Sequence, residues 1–363
     1  MIGCGAISRQ YLDTAARLDA IEIVAAADLR PERAAAVEAS DGPRALPIGE
    51  LLAADDVDLV LNLTVPAAHA EVALAAIAAG KPVYGEKPLA STTVEARAVL
   101  DAAGAAGVRL GCAPDTVLGT GIQTARRAVD DGLIGPAISA TATMVTPGHE
   151  RWHPDPDFYY QPGGGPLLDM GPYYVTALVT LLGPVVEAVG AASHTRPTRT
   201  IGSGPREGET IPVTTDSHVT GVLVHASGAL STLVMSFDTV ATHASWIEVH
   251  GERGSLAVPD PNRFAGDVQL RELGGSDWAT LPVSAGYERA SRGYGIADMA
   301  ATPDDEQPRT GGMLAFHVLD IMETLLRSAR SGRRETVEST CDRPAPVPLQ
   351  ALPGTDAQIP GYH

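Results

Sequence analysis

Gly3-Cys4-Gly5-Ala6-Ile7-Ser8 fits the pattern G-x-G-x-x-(G/A/S), stands at the start of a helical stretch, and is followed 20 residues after Ser8 by Asp28 at the end of an apolar run. In such a turn the glycines let backbone approach a pyrophosphate. The helix N-terminus offers N–H groups and positive dipole, and the acidic residue bonds a ribose hydroxyl. The hexapeptide alone is also what an ordinary tight turn looks like, so its surroundings decide. Outward from it, short apolar runs alternate with Ala-rich helical stretches: Ile21 to Ala27 then Pro31 to Ser40, Val57 to Thr64 then Ala67 to Ala79, Pro82 to Tyr84 then Thr93 to Ala106, and Val108 to Cys112. Continuous apolar strands separated by helices pair in parallel and are covered on both faces. The expected fold is therefore α/β, a doubly wound Rossmann-type parallel sheet over 1–115. The strand that should precede the glycine turn is reduced to Met1-Ile2, which implies a start placed late or a clipped edge of the fold.

Beyond Val117 the pattern changes. A helix from Thr120 to Asp131, a strand from Ala137 to Val145 and a helix from Leu167 to Leu182 lead into longer strands: Val185 to His194, Ser217 to Ala226, Ala229 to Val240, Trp246 to His250, Ser255 to Val258 and Val268 to Leu273. Turn dipeptides such as Ser227-Gly228 and Arg253-Gly254 join them. Residues 116–343 read as an α+β domain on a large, mostly antiparallel open sheet, closed by a helix from Met313 to Ala329. The tail 344–363, with five prolines, reads as extended. Two long loops, Arg196 to Thr214 and Ser284 to Gly312, exceed the usual connection of about 4 to 6 residues and suit lids or subunit-contact arms.

Composition removes several function classes. Lys+Arg 26 against Asp+Glu 44 gives −18, a surface that repels phosphate backbones, so nucleic acid is not an expected partner. Cys4, Cys112 and Cys341 are far apart and unpatterned, which argues against a disulfide framework or zinc ribbon and for a reducing cytoplasm. No basic and apolar leader opens the chain, and Met170 to Ala192, the most membrane-like stretch, is broken by Gly171-Pro172 and Gly183-Pro184 into a buried helix. No metal site is expected: His149 and His153 are four apart, but Pro154, Pro156 and the missing third ligand count against one.

Chemistry is expected at the carboxyl ends of the parallel strands. Gly85-Glu86-Lys87-Pro88 ends one of them. Lys81 and Lys87 are the only lysines, so 24 of the 26 basic residues are arginine; where such a chain keeps lysine, a compact ammonium that bonds an alkoxide is one reading, and a surface pair with Glu86 is the other.

Taken together, Gly-x-Gly-x-x-Ser, Thr64-Val65-Pro66-x-x-His69, Gly80-Lys81-Pro82-Val83 leading into Glu86-Lys87-Pro88, and Gly163-Gly164-Gly165-Pro166-Leu167-Leu168-Asp169-Met170-Gly171 resemble the Gfo/Idh/MocA oxidoreductases over nearly the whole chain. The resemblance implies hydride transfer between a nicotinamide and a hydroxyl or keto carbon of a sugar, polyol or related molecule. It also implies a C-terminal sheet that pairs subunits, as a homodimer or homotetramer. Cofactor contacts are expected from Gly3, Gly5, Ala6, Ile7, Ser8, Asp28, Arg30, Thr64, Pro66, His69, Glu86 and Lys87. Asp28 favours NAD, whereas Arg30 leaves NADP open.

Lys87 matches the family's substrate-contacting lysine and Asp169 the first residue of its Asp-x-x-x-His motif; Tyr173 stands where that histidine is usual. A phenol can serve as acid or base if Lys87 lowers its pKa. Asp169 can equally be a helix cap, and Tyr173-Tyr174 a core pair. Trp152 and His153, in the loop His149 to Pro154, are expected to offer stacking and hydrogen bonds to a sugar. Asp115 reads first as a helix cap, and His69 and His317 as candidates for satisfied core positions. An NAD-assisted glycosidase and a non-catalytic cofactor or sugar sensor are the rival functions.

Overall fold

A computed structural model describes residues 1–303 and 306–354. Strands β1 (Ala25–Ala26), β2 (Arg44–Ala45), β3 (Val60–Asn62), β4 (Val83–Gly85) and β5 (Leu110–Cys112) alternate with helices α1 (Ser8–Ala15), α2 (Pro31–Glu38), α3 (Ile48–Ala53), α4 (Pro66–Ala78) and α5 (Thr93–Ala106). β1 pairs with β2, and β3, β4 and β5 pair in that order, all in parallel. Met1–Gly3 joins the two groups: Ile2 bridges in parallel to both Ala27 and Asn62, the Gly3 amide donates to Ala27 O, and the Leu63 amide donates to Ile2 O. The short first segment is therefore central, not the clipped edge expected from its length. It is also where the winding reverses, and in doubly wound sheets the crevice at that reversal takes the ligand. α3 was not anticipated, because its six residues are too few to show a helical period.

The second unit contains α6 (Thr120–Asp130), β6 (Ala137–Val145), α7 (Pro166–Leu182), β7 (Val185–Ser193), β8 (Thr198–Thr200), β9 (Thr210–Pro212), β10 (His218–His225), β11 (Leu230–Ser236), β12 (Ile247–Gly251), β13 (Gly254–Val258), β14 (Gln269–Glu272), β15 (Ala279–Thr280), α8 (Tyr294–Ala301), α9 (Gly312–Ser331) and β16 (Glu335–Thr336). Among the described residues it forms a nine-stranded sheet of order β15-β14-β13-β12-β6-β11-β10-β7-β16. Only β6 and β11 run parallel within it.

Ala140, Ala142, Met144, Leu223, Leu233, Met235 and Val249 share one buried cluster with α7 and α9. Alternation then puts Thr141, Thr220, Thr232, Val222, Val224 and Val234 on the opposite face, where they remain half-buried or exposed. β11 ends at Ser236 and not at Val240, because Asp238 leaves the ladder to accept from Ser217 Oγ at 2.6 Å and to pair with Arg199.

Both long loops carry secondary structure among their described residues. The first contains the β8–β9 hairpin, whose Arg199 is buried against Glu150 and Asp238. A buried guanidinium is stable only when paired, and here the pairing braces the 149–160 loop. The second contains α8 and packs back on the N-terminal unit: Thr14 Oγ1 and Ser291 Oγ lie 2.7 Å apart, and the Gly293 and Gly295 amides donate to Asp115 Oδ2 at 2.7 and 3.1 Å.

Asp115 is thus a cap, but of α8 instead of its own short 3-10 turn, and its burial pushes its pKa up to about 6. His317 is the satisfied core histidine foreseen, accepting from the Val185 amide at 3.1 Å and lying 2.8 Å from Ser339 Oγ. Within the tail, Pro348 and Gln350 bridge to Ala285 and Tyr287, and Gly354 bridges to Leu18. The rest of that proline-rich tail, 355–363, lies outside the described residues. No helix among the described residues is long and apolar enough to cross a membrane.

Candidate active site

Three strand ends converge on the crevice: the Gly3–Ser8 turn, the Thr64–Pro66 loop after β3, and Glu86–Pro88 after β4. Gly3 has φ +100, and a Cβ there would lie 2.6 Å from the Leu63 carbonyl carbon and oxygen. It must be glycine for the turn to seat on β3. Gly5 is different, since a Cβ there would meet no protein atom within 4 Å.

Among the described residues, no protein group accepts from the amides of Gly5, Ala6 or Ile7, which head α1. Ser8 Oγ donates to Gly5 O at 2.7 Å and holds the turn closed. Unengaged amides at a helix N-terminus, with open space over the second glycine, fit a dinucleotide's pyrophosphate. Gly5→Val is therefore expected to fold with an unchanged melting temperature and to weaken NADH binding by about tenfold or more. Gly3→Ala should cost about 1–3 kcal/mol of stability instead. Thermal melts paired with NADH titrations separate the two.

Asp28 reaches the same turn. Its Oδ2 accepts from the Cys4 amide and its Oδ1 from the Arg30 amide, both at 2.8 Å. Each carboxylate oxygen keeps a lone pair for a ribose hydroxyl. Arg30 is exposed beside it.

Of the other expected cofactor contacts, Pro66 is exposed and Thr64 half-buried, while His69 and Glu86 turn inward. Thr64 Oγ1 donates to Asn62 Oδ1 at 2.6 Å, and Pro66 is the first residue of α4. His69 is buried, its ring spanning Pro88 O at 2.6 Å and Thr64 O at 3.0 Å, and burial pushes its pKa down. Glu86 accepts from the Tyr11 hydroxyl at 2.8 Å and from the Lys87 amide at 3.1 Å. His69 and Glu86 thus brace the loops around the crevice.

Lys87 points across to α7. Its Nζ donates to Asp169 O at 2.7 Å and to Asp169 Oδ1 at 3.0 Å, and it lies 5.2 Å from the centroid of the Tyr173 ring. The spacing of four brings Asp169 and Tyr173 to one helix face despite Pro172. Burial opposes the Lys87 charge, but Asp169, Tyr173 and Glu86 outweigh it and raise its pKa. Burial likewise opposes the Asp169 carboxylate, and Lys87 and His149 overcome that to hold it at about 2.

Tyr173 behaves otherwise than expected. Burial pushes its phenol above the usual range, and Lys87 and Arg292 only offset part of that rise. The resting phenol stays protonated, so the expected lowering by Lys87 is corrected in its net direction. No described residue bonds its hydroxyl.

The loop delivers a different histidine from the one expected. His149 Nε2 lies 3.3 Å from Asp169 Oδ2, and its ring packs on Trp152, Tyr159 and Phe237 with centroids 5.2, 4.7 and 4.4 Å away. His153 accepts from the Asp155 amide at 3.1 Å and packs on Phe158 and Tyr159. Among the described residues nothing bonds it to Lys87, Asp169 or Tyr173. Trp152, 59% exposed, lies at the rim over His149.

His149→Phe keeps the aromatic packing and removes the bond to Asp169. It should leave stability and NADH binding nearly unchanged and lower kcat by about 10- to 100-fold, the worth of one hydrogen bond to a charged group. Steady-state kinetics beside a cofactor titration would check it.

Comparison with known proteins gives two family matches. Residues 1–113 match the oxidoreductase family with NAD-binding Rossmann fold, and residues 122–257 match the GFO/IDH/MocA C-terminal domain. The chain is 29% identical to 1,5-anhydro-D-fructose reductase of Ensifer adhaerens, over 93% of this chain and 98% of that one. It is 27% identical to D-apiose dehydrogenase of Paraburkholderia graminis, over 93% and 89%. An NAD binding oxidoreductase from Klebsiella pneumoniae superposes with a TM-score of 0.80 at 22% identity, covering 93% and 97%.

Proposed function

The chain belongs to the Gfo/Idh/MocA oxidoreductases, and from that premise we propose that its Lys87, Asp169 and Tyr173 carry out NAD-dependent oxidation or reduction at a hydroxyl-bearing carbon of a sugar or polyol. NAD, when bound, supplies or accepts the hydride. The observation that carries the reading is the Lys87 ammonium at the carboxyl end of β4, held by two Asp169 oxygens beside an unbonded phenol.

Each group has one task. The Gly5, Ala6 and Ile7 amides take the pyrophosphate, and Asp28 takes the ribose. Lys87 stabilises negative charge on the reacting oxygen, and a fixed cation in a half-buried crevice does this without reorganisation. Tyr173 gives that oxygen its proton in reduction and receives it back in oxidation. Asp169 fixes the ammonium, and His149 fixes Asp169. The sugar or polyol class follows from the curated relatives, which are named for anhydrofructose and apiose.

Residues 1–115 serve as the cofactor unit and 116–343 as the substrate unit, with 284–311 linking them. The open sheet face of Thr141, Thr220, Thr232, Val222, Val224 and Val234 is half apolar and broad enough to pair subunits. Three free cysteines suit a reducing cytoplasm.

Titrating the protein with NADH and with NADPH, read by nicotinamide fluorescence, tests the reading. Saturable binding with NADH preferred is expected, and no saturation by either would overturn it.

A further inference from the structure

Arg292 enters the site from the segment before α8 and is, among the described residues, the one cation there without a carboxylate. Its guanidinium carbon lies 5.4 Å from the Tyr173 ring centroid, and the same ring carries Lys87 at 5.2 Å. Nη2 donates to Asn262 Oδ1 at 2.9 Å. Nη1 is buried and has no acceptor among the described residues.

Among the described residues no acidic group comes within ion-pair distance of Arg292. The two nearest in influence, Glu86 and Asp115, are engaged by the Tyr11 hydroxyl and by the Gly293 and Gly295 amides. Elsewhere the chain pairs its enclosed arginines: Arg199 with Glu150 and Asp238, Arg309 with Asp298, Arg126 and Arg343 with Asp130. With 44 acidic residues against 26 basic ones, partners are plentiful. A desolvated guanidinium left unpaired is costly to folding unless a ligand completes it.

We infer that Arg292 is a specificity residue and that the substrate is a carboxylate-bearing polyhydroxy compound, a sugar acid, whose carboxylate takes the free Nη1 while its reacting carbon lies at Lys87 and Tyr173. This rests on the site assignment above and narrows its substrate class. Guanidinium suits a carboxylate through charge-assisted hydrogen bonds, and an arginine built for one discriminates against the neutral analogue that leaves it unpaired. The cofactor's diphosphate is the other source of negative charge, but unengaged amides at the Gly5 turn already await it.

Calorimetry on the free and the NADH-saturated protein would compare D-gluconate with D-glucitol, and D-galacturonate with D-galactose, in the wild type, Arg292→Gln and Arg292→Lys. The acids should bind the wild type about 10- to 100-fold more tightly than their neutral counterparts. Arg292→Gln should erase that preference while NADH affinity stays within about threefold, and Arg292→Lys should restore part of it.

Equal binding of acids and neutral sugars by the wild type would overturn the inference. So would an Arg292→Gln protein that keeps the preference but loses NADH affinity, because the cation would then serve the diphosphate. A protein that takes the acids but not NADH would refute the cofactor assignment and leave the anion site standing.

Discussion

Lys87→Met should lower kcat/KM by about a thousandfold while NADH binds within a few-fold of the wild type. Methionine approximates the aliphatic stem of lysine and removes only the ammonium. Three things then change together. The reacting oxygen loses its cation, Asp169 loses the donor to its backbone and side-chain oxygens, and the Tyr173 ring keeps only Arg292 over it.

The pH dependence gives a second readout. Asp169 is held at about 2 by Lys87 and His149 against its own burial. A carboxylate depressed in the folded state contributes stability above its unfolded value near 3.9, and that contribution is lost as pH falls toward 2. Without Lys87 only His149 opposes burial, so the Asp169 pKa must rise. The variant should accordingly lose acid stability at a higher pH than the wild type. Chemical denaturation between pH 2 and pH 6 would measure it, and identical curves would show that Lys87 does not hold Asp169 in solution.

Tyr173→Phe should lower kcat by about 10²- to 10⁴-fold with little change in KM or in NADH affinity. The hydroxyl it removes bonds no described residue, and the ring that remains still fills its place between Lys87 and Arg292. Thermal stability is therefore expected to hold. Because burial keeps the phenol above its ordinary range, Tyr173 remains a proton donor throughout neutral pH. Wild-type ketone reduction should show no loss from phenol ionisation there. Full turnover by Tyr173→Phe would move the proton-transfer role away from Tyr173.

The parts of this arrangement that were legible in the sequence are those carried by local pattern. β6 and α7 fall where periodicity and their flanking Gly and Pro residues put them, and the glycine turn with Asp28 marked the crevice. Lys87 stood out at a strand end, and Asp169 and Tyr173 were singled out through the resemblance to the family's Asp-x-x-x-His motif; the structure brings the three side chains together. α3, the β8–β9 hairpin and α8 were missed because each is too short to show a period or lies inside a loop whose structure comes from packing.

His149 was noticed for a metal pairing and as one end of a sugar-facing loop but not as a partner of Asp169, and Arg292 not at all. Each meets the site through a loop placed by distant groups, Arg199 against Glu150 in one case and Asp115 under Gly293 in the other. Nothing in the neighbouring sequence announces such contacts. The direction of the Tyr173 shift was misjudged for a related reason: the cation was visible in the motif, but the depth of burial was not.

The most direct test of hydride transfer at this site uses NADH carrying deuterium at nicotinamide C4. One equivalent of each C4 epimer would be mixed with the protein and a panel of keto sugars and keto sugar acids, and the products analysed by mass and proton spectra. Deuterium on a single carbinol carbon of one product, delivered from one epimer only and absent with Lys87→Met, is the predicted result. Deuterium that stays on a nicotinamide which the protein nonetheless binds tightly, across the whole panel, would contradict it.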